Sequence, residues 1–177
     1  MTDPKIIQMF NRPLETNLEK IEQLASIRED ENYRFRSFLK SKERESIDKI
    51  VHRLHDIITQ KIDCSLCGNC CVKLSPELTP KEIEELARLE NITPESYMEN
   101  YCEINLGDML LNTLPCRYYK DKKCSLNQNR PEKCKTFPYT RKKGFISRLL
   151  GMINFYGVCP IVFNIMEILK DELRFRR

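Results

Sequence analysis

Four cysteines fall within eight residues of this sequence, in the run Cys64-Ser65-Leu66-Cys67-Gly68-Asn69-Cys70-Cys71. Thiolates this close together repel one another and oxidise readily, so a folded protein normally holds such a run by closing it around a metal ion or an iron–sulfur cluster. No cysteine precedes the run, and five follow it: Cys102, Cys116, Cys124, Cys134 and Cys159. We therefore assign the thiols to one module.

The size and composition of the chain suit one globular domain with a helical extension. It has 177 residues, of which 41% are hydrophobic and 32% charged, the balance of a soluble protein. It contains no run of eighteen apolar residues, and its first residues lack the basic-then-apolar pattern of a secretory signal. We expect a cytoplasmic protein, and in that reducing compartment nine cysteines predict metal binding rather than a disulfide framework.

The net charge of +4 is distributed unevenly. Residues 1–60 carry eleven positive and eleven negative side chains, residues 61–113 carry four and ten, and residues 114–177 carry fifteen and five. The basic segment could face nucleic acid or an acidic partner, or it could offset the negative charge of several thiolates.

Two helices are predicted before the cysteines. Residues 1–13 are polar and read as a loose lead-in. Thr16 and the glutamate three residues later form a capping box, from which a helix should reach about Lys40. A second helix should begin with Ser41 as its N-cap and end just before the cysteine run. Its apolar stripe is Ile47, Ile50, Val51, Leu54, Ile57 and Ile58. We expect the two helices to pair as an antiparallel hairpin or to pack across the cysteine module; they could also form a homodimer.

The only histidines, His52 and His55, stand three residues apart on the second predicted helix. This spacing can hold a metal. Because no third ligand is in view, we interpret them as surface histidines.

Short helices are predicted after the cysteine run. Thr79-Pro80 and Thr93-Pro94 each combine an N-cap residue with a proline at the first helical position. The second of these helices, at about 94–103, places Cys102 among core residues. A cysteine there behaves as a small buried hydrophobe, so Cys102 is the thiol that we do not assign to a metal.

The last third of the chain should present further thiols. A turn at 120–123 predicts a small hairpin with Cys116 and Cys124 on its flanks. A short helix should start at Pro131 and carry Cys134. Residues 141–158 look irregular, and a terminal helix is predicted at 161–173.

These elements predict a mainly α fold with a small irregular β-hairpin. An N-terminal helical hairpin at 1–60 would precede a compact cysteine-rich module at 61–177.

Two chemistries suit the thiols. Zinc takes four ligands in a tetrahedron, whereas C-x2-C-x2-C followed by a distant Cys-Pro is the ligand spacing of bacterial ferredoxins. We favour an iron–sulfur cluster over zinc for this reason. One candidate set of four is Cys64, Cys67, Cys70 and Cys159. The other is Cys71, Cys116, Cys124 and Cys134.

The cysteine run, the Thr-Pro-Lys-Glu helix start and the later Cys-containing segments together resemble the YkgJ-type cysteine-cluster proteins, over roughly residues 64–160. That family is described as a zinc- or iron-chelating domain and includes the flagellin lysine N-methylases. The resemblance implies chelation by the matching cysteines, and Cys159 matches less closely than the others. The other matching cysteines are Cys64, Cys67, Cys70, Cys71, Cys116, Cys124 and Cys134.

Three functions remain open. The first is a metal- or cluster-binding protein acting in metal handling, in electron transfer or as a partner-binding module. The second is an S-adenosylmethionine-dependent protein lysine methylase, by analogy with the methylase branch; no sequence feature marks an S-adenosylmethionine pocket, so a binding protein is favoured over an enzyme. The third is nucleic-acid binding by basic residues interleaved with aromatic ones. The residues that suggest it are Arg117, Lys120, Lys122, Lys123, Arg130, Lys133, Lys135, Arg141, Lys142, Lys143 and Arg148, with Tyr118, Tyr119, Phe137, Tyr139 and Phe145.

Overall fold

The computed structural model describes residues 13–177, so the predicted lead-in before Pro13 lies outside the described residues. Contacts group the chain into two units. Unit 1 comprises Met1–Cys64, described from residue 13, together with Pro138–Arg177, and unit 2 is Ser65–Phe137. A grouping of contacts does not test independent folding, so the domain boundary expected near residue 60 stays a prediction.

Short helices make up most of the described chain. In chain order they are α1 Leu18–Ile27, α2 Glu29–Lys40, α3 Arg44–Thr59, α4 Cys64–Cys67, α5 Asn69–Lys73, α6 Pro80–Leu89, α7 Pro94–Tyr101, α8 Glu132–Thr136, α9 Leu149–Tyr156 and α10 Pro160–Glu172. The strands are β1 Cys102–Asn105, β2 Asp108–Leu111, β3 Tyr119–Lys120 and β4 Lys123–Cys124. They form two antiparallel hairpins, β1–β2 and β3–β4. The predicted mainly α fold with a small β-hairpin is confirmed. Across the described residues, no helix is both long and apolar enough to cross a membrane.

The first predicted helix is divided in two. The side chain of Asn17, rather than that of Thr16, accepts the N–H of Lys20 at 3.0 Å and caps α1. At Arg28 the backbone leaves the helical region, with φ −103° and ψ 17°, and α2 starts at the next residue. The prediction of one helix up to Lys40 is therefore wrong, because hydrophobic spacing continues across a break that the backbone makes locally.

Helix α3 begins slightly later than predicted and finds an unexpected partner. Its cap is Glu43 instead of Ser41. The predicted apolar stripe is buried except at Ile50, which is half-buried. This helix packs chiefly against α10, in which every residue of 160–170 is buried. The stripe is thus covered by the last helix of the same unit, which the sequence-based alternatives did not include. A homodimer through these helices stays a prediction.

Residues 141–158 are more regular than predicted. They contain α9, preceded by a 3₁₀ turn at Ile146–Arg148. Within α9 the buried residues are Leu149, Met152 and Tyr156, which stand three and four apart. The prediction is wrong because this helical period is short and follows directly on basic, glycine-containing sequence.

Helix α10 carries a buried charge cluster. The Lys170 side chain is fully buried, and its ammonium group donates to Glu31 and Glu167, both at 2.7 Å. Glu167 also accepts from the hydroxyl of Tyr156 at 2.9 Å and from Arg28. Burial alone would raise the pKa of Glu167, but the hydrogen bond and charge of Lys170 outweigh it and hold that pKa below its usual value.

Unit 2 has a core of its own, built by α6, α7 and the hairpins. Helix α6 begins with the predicted capping box of Thr79 and Glu82. The hydroxyls of Tyr97 and Tyr118 meet inside the core at 3.0 Å. The buried residues of this core are Leu78, Ile83, Leu86, Ala87, Tyr97, Leu111, Tyr118 and Leu126.

Cys102 lies at the start of β1, since α7 ends one residue before it. It stands opposite Leu111 and packs half-buried against the unit 2 core. The predicted helix end is two residues too late, whereas the packing against apolar residues is as expected.

Replacing Lys170 by alanine should lower the free energy of unfolding by about 3–5 kcal/mol, because Glu31 and Glu167 would lose the buried ammonium group that they share, although Glu167 would keep Arg28 and Arg177. The matched control is Lys20→Ala. It removes the largely exposed pair with Glu15 and should cost about 1 kcal/mol or less. Urea unfolding of both variants measures the difference. Equal losses would show that the buried cluster contributes no more than a surface pair.

Candidate metal centre

The cysteine run folds as two short helices separated by a glycine. Cys64 and Cys67 are the ends of α4, and α5 carries Cys70 and Cys71. Gly68 between them has a φ of 61°, a left-handed conformation that glycine adopts without strain. This break ends one helical turn and starts the next, so four cysteines can lie on two short elements.

A side chain at position 68 would also collide with Tyr119, which approaches Gly68 closely. A Cβ atom at this position would stand 2.1 Å from the hydroxyl oxygen of Tyr119 in β3. The sequence analysis did not identify this contact; the signal available was a glycine inside a dense cysteine run. Gly68 thus allows β3, and the cysteines beside it, to approach the run.

Three other segments of unit 2 bring their cysteines to this region. The N–H of Cys116 donates to the carbonyl of Cys71 at 2.7 Å. Cys124 lies in β4, opposite Tyr119. Cys134 lies in α8, the short helix predicted after Pro131. The predicted hairpin with thiols on its flanks is therefore confirmed.

The ionisation of Cys116 and Cys134 depends on burial and on neighbouring thiols. Burial raises the pKa of Cys134 to about 12, and the charges of the other three thiols add to this effect. Burial likewise raises the pKa of Cys116, and Cys71 and Cys124 contribute in the same direction. Thiols influence one another in this way only when they are near neighbours with little water between them. The structure thus brings together four thiols from four segments.

Cys71 differs from the other three. The hydrogen bond from Cys70 lowers its pKa to about 7, and the charge of Arg130 acts in the same direction against the effect of burial. The two sulfur atoms are 4.0 Å apart. Cys71 is therefore the thiol of this group that ionises most readily, and Arg130 also favours the thiolate of Cys134. The sequence analysis gave Arg130 no such role.

Among residues 13–177, no three or more His, Cys, Asp or Glu side chains already stand in metal-binding geometry. The donor set nevertheless fits a soft metal, because four sulfur ligands suit zinc or an iron–sulfur cluster, and hard cations prefer oxygen. All nine cysteines lie in the described chain and none forms a disulfide bond.

Cys159 is placed in unit 1. It is 5% exposed and is the N-cap residue of α10. Its N–H donates to Phe155 at 2.8 Å and its carbonyl accepts from Phe163 at 2.9 Å. Its assignment as a ligand with Cys64, Cys67 and Cys70 stays a prediction.

Both histidines lie in helix α3 of unit 1. His55 Nδ1 lies 2.7 Å from the hydroxyl of Thr140, and burial lowers the pKa of this histidine. Nearby, the Asp48 carboxylate accepts the N–H groups of Gly144 and Phe145 at 2.7 and 2.8 Å. Both histidines are half-buried rather than on the surface. These contacts tie the loop before α9 to α3.

Several aromatic residues suggested for nucleic-acid binding are engaged inside their units. Tyr118 is 6% exposed and Phe145 is fully buried. Tyr139 packs on Phe155 with ring centroids 5.9 Å apart. Nucleic-acid binding stays a prediction, but these three rings offer no free face on which bases could stack.

Replacing Gly68 by alanine should reduce the metal bound per chain, because the new methyl group would displace Tyr119 and strain the turn. Gly107→Ala is the control. Gly107 also has a positive φ, 92°, but no atom lies within 4 Å of an added Cβ, so only the backbone cost of about 1 kcal/mol applies. Metal analysis of both purified variants tests the difference. Full metal content in Gly68→Ala would contradict the role of the close approach.

Comparison with known proteins identifies the cysteine-containing part of the chain. The family model CxxCxxCC, described as "Putative zinc- or iron-chelating domain", matches residues 63–151. No curated protein and no solved structure matches the chain.

Proposed function

Because this chain belongs to the CxxCxxCC family of zinc- or iron-chelating domains, we propose that it is a cysteine-cluster protein whose thiols hold an iron–sulfur cluster, with zinc as the alternative occupant. The observation that carries this proposal is that separate segments of unit 2 bring four cysteines to one region, with Cys116 bonded to Cys71 through the backbone and Cys124 paired with Tyr119 in the hairpin. The four cysteines are Cys71, Cys116, Cys124 and Cys134.

The four segments explain why these thiols form one ligand set. Cys71 is held to Cys116 by a backbone hydrogen bond, and Cys124 is held by pairing with Tyr119 in the hairpin. Cys134 is carried by a short helix that follows a proline. Four ligands from four segments would cross-link unit 2, so binding energy would become folding energy.

The choice of iron–sulfur over zinc rests on the three-cysteine spacing of Cys64, Cys67 and Cys70 with Cys159-Pro160 as a remote fourth, as in ferredoxins. These residues make up a second set of four in the proposal. A bound cluster would supply one-electron chemistry, whereas zinc would serve as a structural cross-link.

The residues of the chain have distinct tasks in this proposal. Cys71 ionises first, because Cys70 donates to it and Arg130 favours its negative charge. Cys116 and Cys134, whose pKa values are raised, lose their protons when a metal replaces them. Burial around them limits the access of water and oxidants.

The protein is proposed to work in a reducing, cytoplasmic compartment, in keeping with nine cysteines that form no disulfide. Metal handling, electron transfer and partner binding are the roles that such a protein can fill. A lysine methylase function rests on family analogy alone and has no contact in the described structure to support it.

The first test is the content of metal and acid-labile sulfide in anaerobically purified protein, together with its visible absorption spectrum. Iron and sulfide in near-equal amounts in brown protein are expected. Colourless protein with bound zinc would show that the site holds a structural zinc ion instead of a cluster. Protein with neither iron nor zinc would refute chelation.

Replacing Cys134 by serine should abolish most metal binding and destabilise unit 2, because one sulfur ligand of the set is lost. The matched control is Cys102→Ser, which changes a half-buried cysteine of the same unit that we leave off the metal. Metal content and thermal unfolding of both variants are measured. Loss of metal in Cys102→Ser, with retention in Cys134→Ser, would show that the ligand set is wrongly assigned.

A further inference from the structure

Lysines occupy positions of the β3–β4 hairpin at which other residue types would make the hairpin more stable. Lys120 pairs with Lys123, which leaves Asp121 and Lys122 as a two-residue turn. Both turn residues have positive φ, 49° and 60°. Type I′ turns have this geometry and strongly prefer Asp-Gly or Asn-Gly. Lys122 therefore occupies a position at which glycine is the favoured residue.

The β1–β2 hairpin of the same unit provides a comparison. Its two-residue turn is Leu106-Gly107, with φ values of 52° and 92°. Here glycine stands at the position that Lys122 holds in the other hairpin. A side chain with positive φ is disfavoured by contacts between Cβ and the backbone. Unfavourable backbone conformations are often retained at functional sites. The side chain of Lys122 is therefore a candidate for a functional role.

The strands add a second unfavourable feature. Lys120 stands directly opposite Lys123, and like charges in this position destabilise a hairpin. Within residues 13–177, no carboxylate forms an ion pair with Lys120, Lys122 or Lys123. By contrast, Arg117 lies 3.1 Å from Glu90 and Lys133 lies 2.6 Å from Glu77.

The thiols do not account for these lysines. The cation that favours the thiolates of Cys71 and Cys134 is Arg130. The three lysines of the hairpin are exposed to solvent. Lys123 is followed directly by Cys124, so whatever meets the hairpin would stand beside a proposed metal ligand.

We infer that the β3–β4 hairpin is a docking element for an acidic protein surface. Carboxylates of the partner would lie between the opposing ammonium groups and relieve their repulsion. The lysine at the strained turn position would extend the same cationic surface. The inference depends on the charges of the hairpin and not on which metal the cysteines hold.

Phosphates of nucleic acid have the same sign of charge, but the hairpin lacks faces on which bases could stack. Tyr118 is buried and its hydroxyl lies 3.0 Å from that of Tyr97. Tyr119 is half-buried, with its hydroxyl close to Gly68. Lysines without available aromatic rings argue against single-stranded nucleic acid, which is held by cations and stacking together; a duplex is distinguished by the binding test below.

Two substitutions can separate binding from folding, because both should stabilise the protein. Lys122→Gly creates the preferred Asp-Gly turn, and Lys123→Glu places opposite charge across from Lys120. Each should raise the midpoint of thermal unfolding. The charge-matched control is Lys49→Glu, at an exposed position of α3.

Binding is measured on the full chain, with its metal, by fluorescence anisotropy at low salt. The probe is a labelled peptide of alternating glutamate and glycine. Lys123→Glu should weaken binding by about tenfold or more, and Lys49→Glu by less than about twofold.

Three outcomes would overturn the inference. The first is equal affinity of Lys123→Glu and Lys49→Glu for the peptide. The second is tighter binding of an oligonucleotide of equal net charge, lost in Lys123→Glu, which would assign the hairpin to nucleic acid. The third is a lower unfolding midpoint in Lys122→Gly, which would remove the argument from turn strain.

Discussion

Four neighbouring thiols in the partly buried interior of unit 2 cannot all ionise unless a cation joins them. Burial and the charges of neighbouring thiols raise the pKa values of Cys116 and Cys134, whereas the hydrogen bond from Cys70 and the charge of Arg130 lower the pKa of Cys71 to about 7. A soft metal is the group that would convert the repulsion between thiolates into a cross-link between four segments.

Unit 1 buries ionisable groups in a different way. Lys170 is buried together with Glu31 and Glu167, so opposite charges balance one another. The two units thus show two ways of burying ionisable groups. One pairs opposite charges within the chain, and the other keeps like groups neutral until a cation is supplied.

The sequence predicted the elements whose evidence is local. The capping box at Thr79, the helix after Pro131 and the turn at 120–123 depend on residues a few positions apart, and all three are present. It did not predict the break at Arg28, because hydrophobic spacing continues across it, or the regular structure of α9, because its helical period is short. The partner of α3 was missed for another reason: apolar spacing identifies the face that must be buried, but not the surface that covers it.

For the site, the sequence by itself determined the chemistry. Four cysteines in eight residues, with five more downstream, predict chelation of zinc or iron, which the family match supports. Tertiary structure decided that the backbone of Cys116 bonds to that of Cys71 and that Cys70 lowers the pKa of Cys71. It also decided that Gly68 must lack a side chain, since the hydroxyl of Tyr119 occupies that space. Such contacts join residues dozens of positions apart, and only the folded backbone fixes their distances.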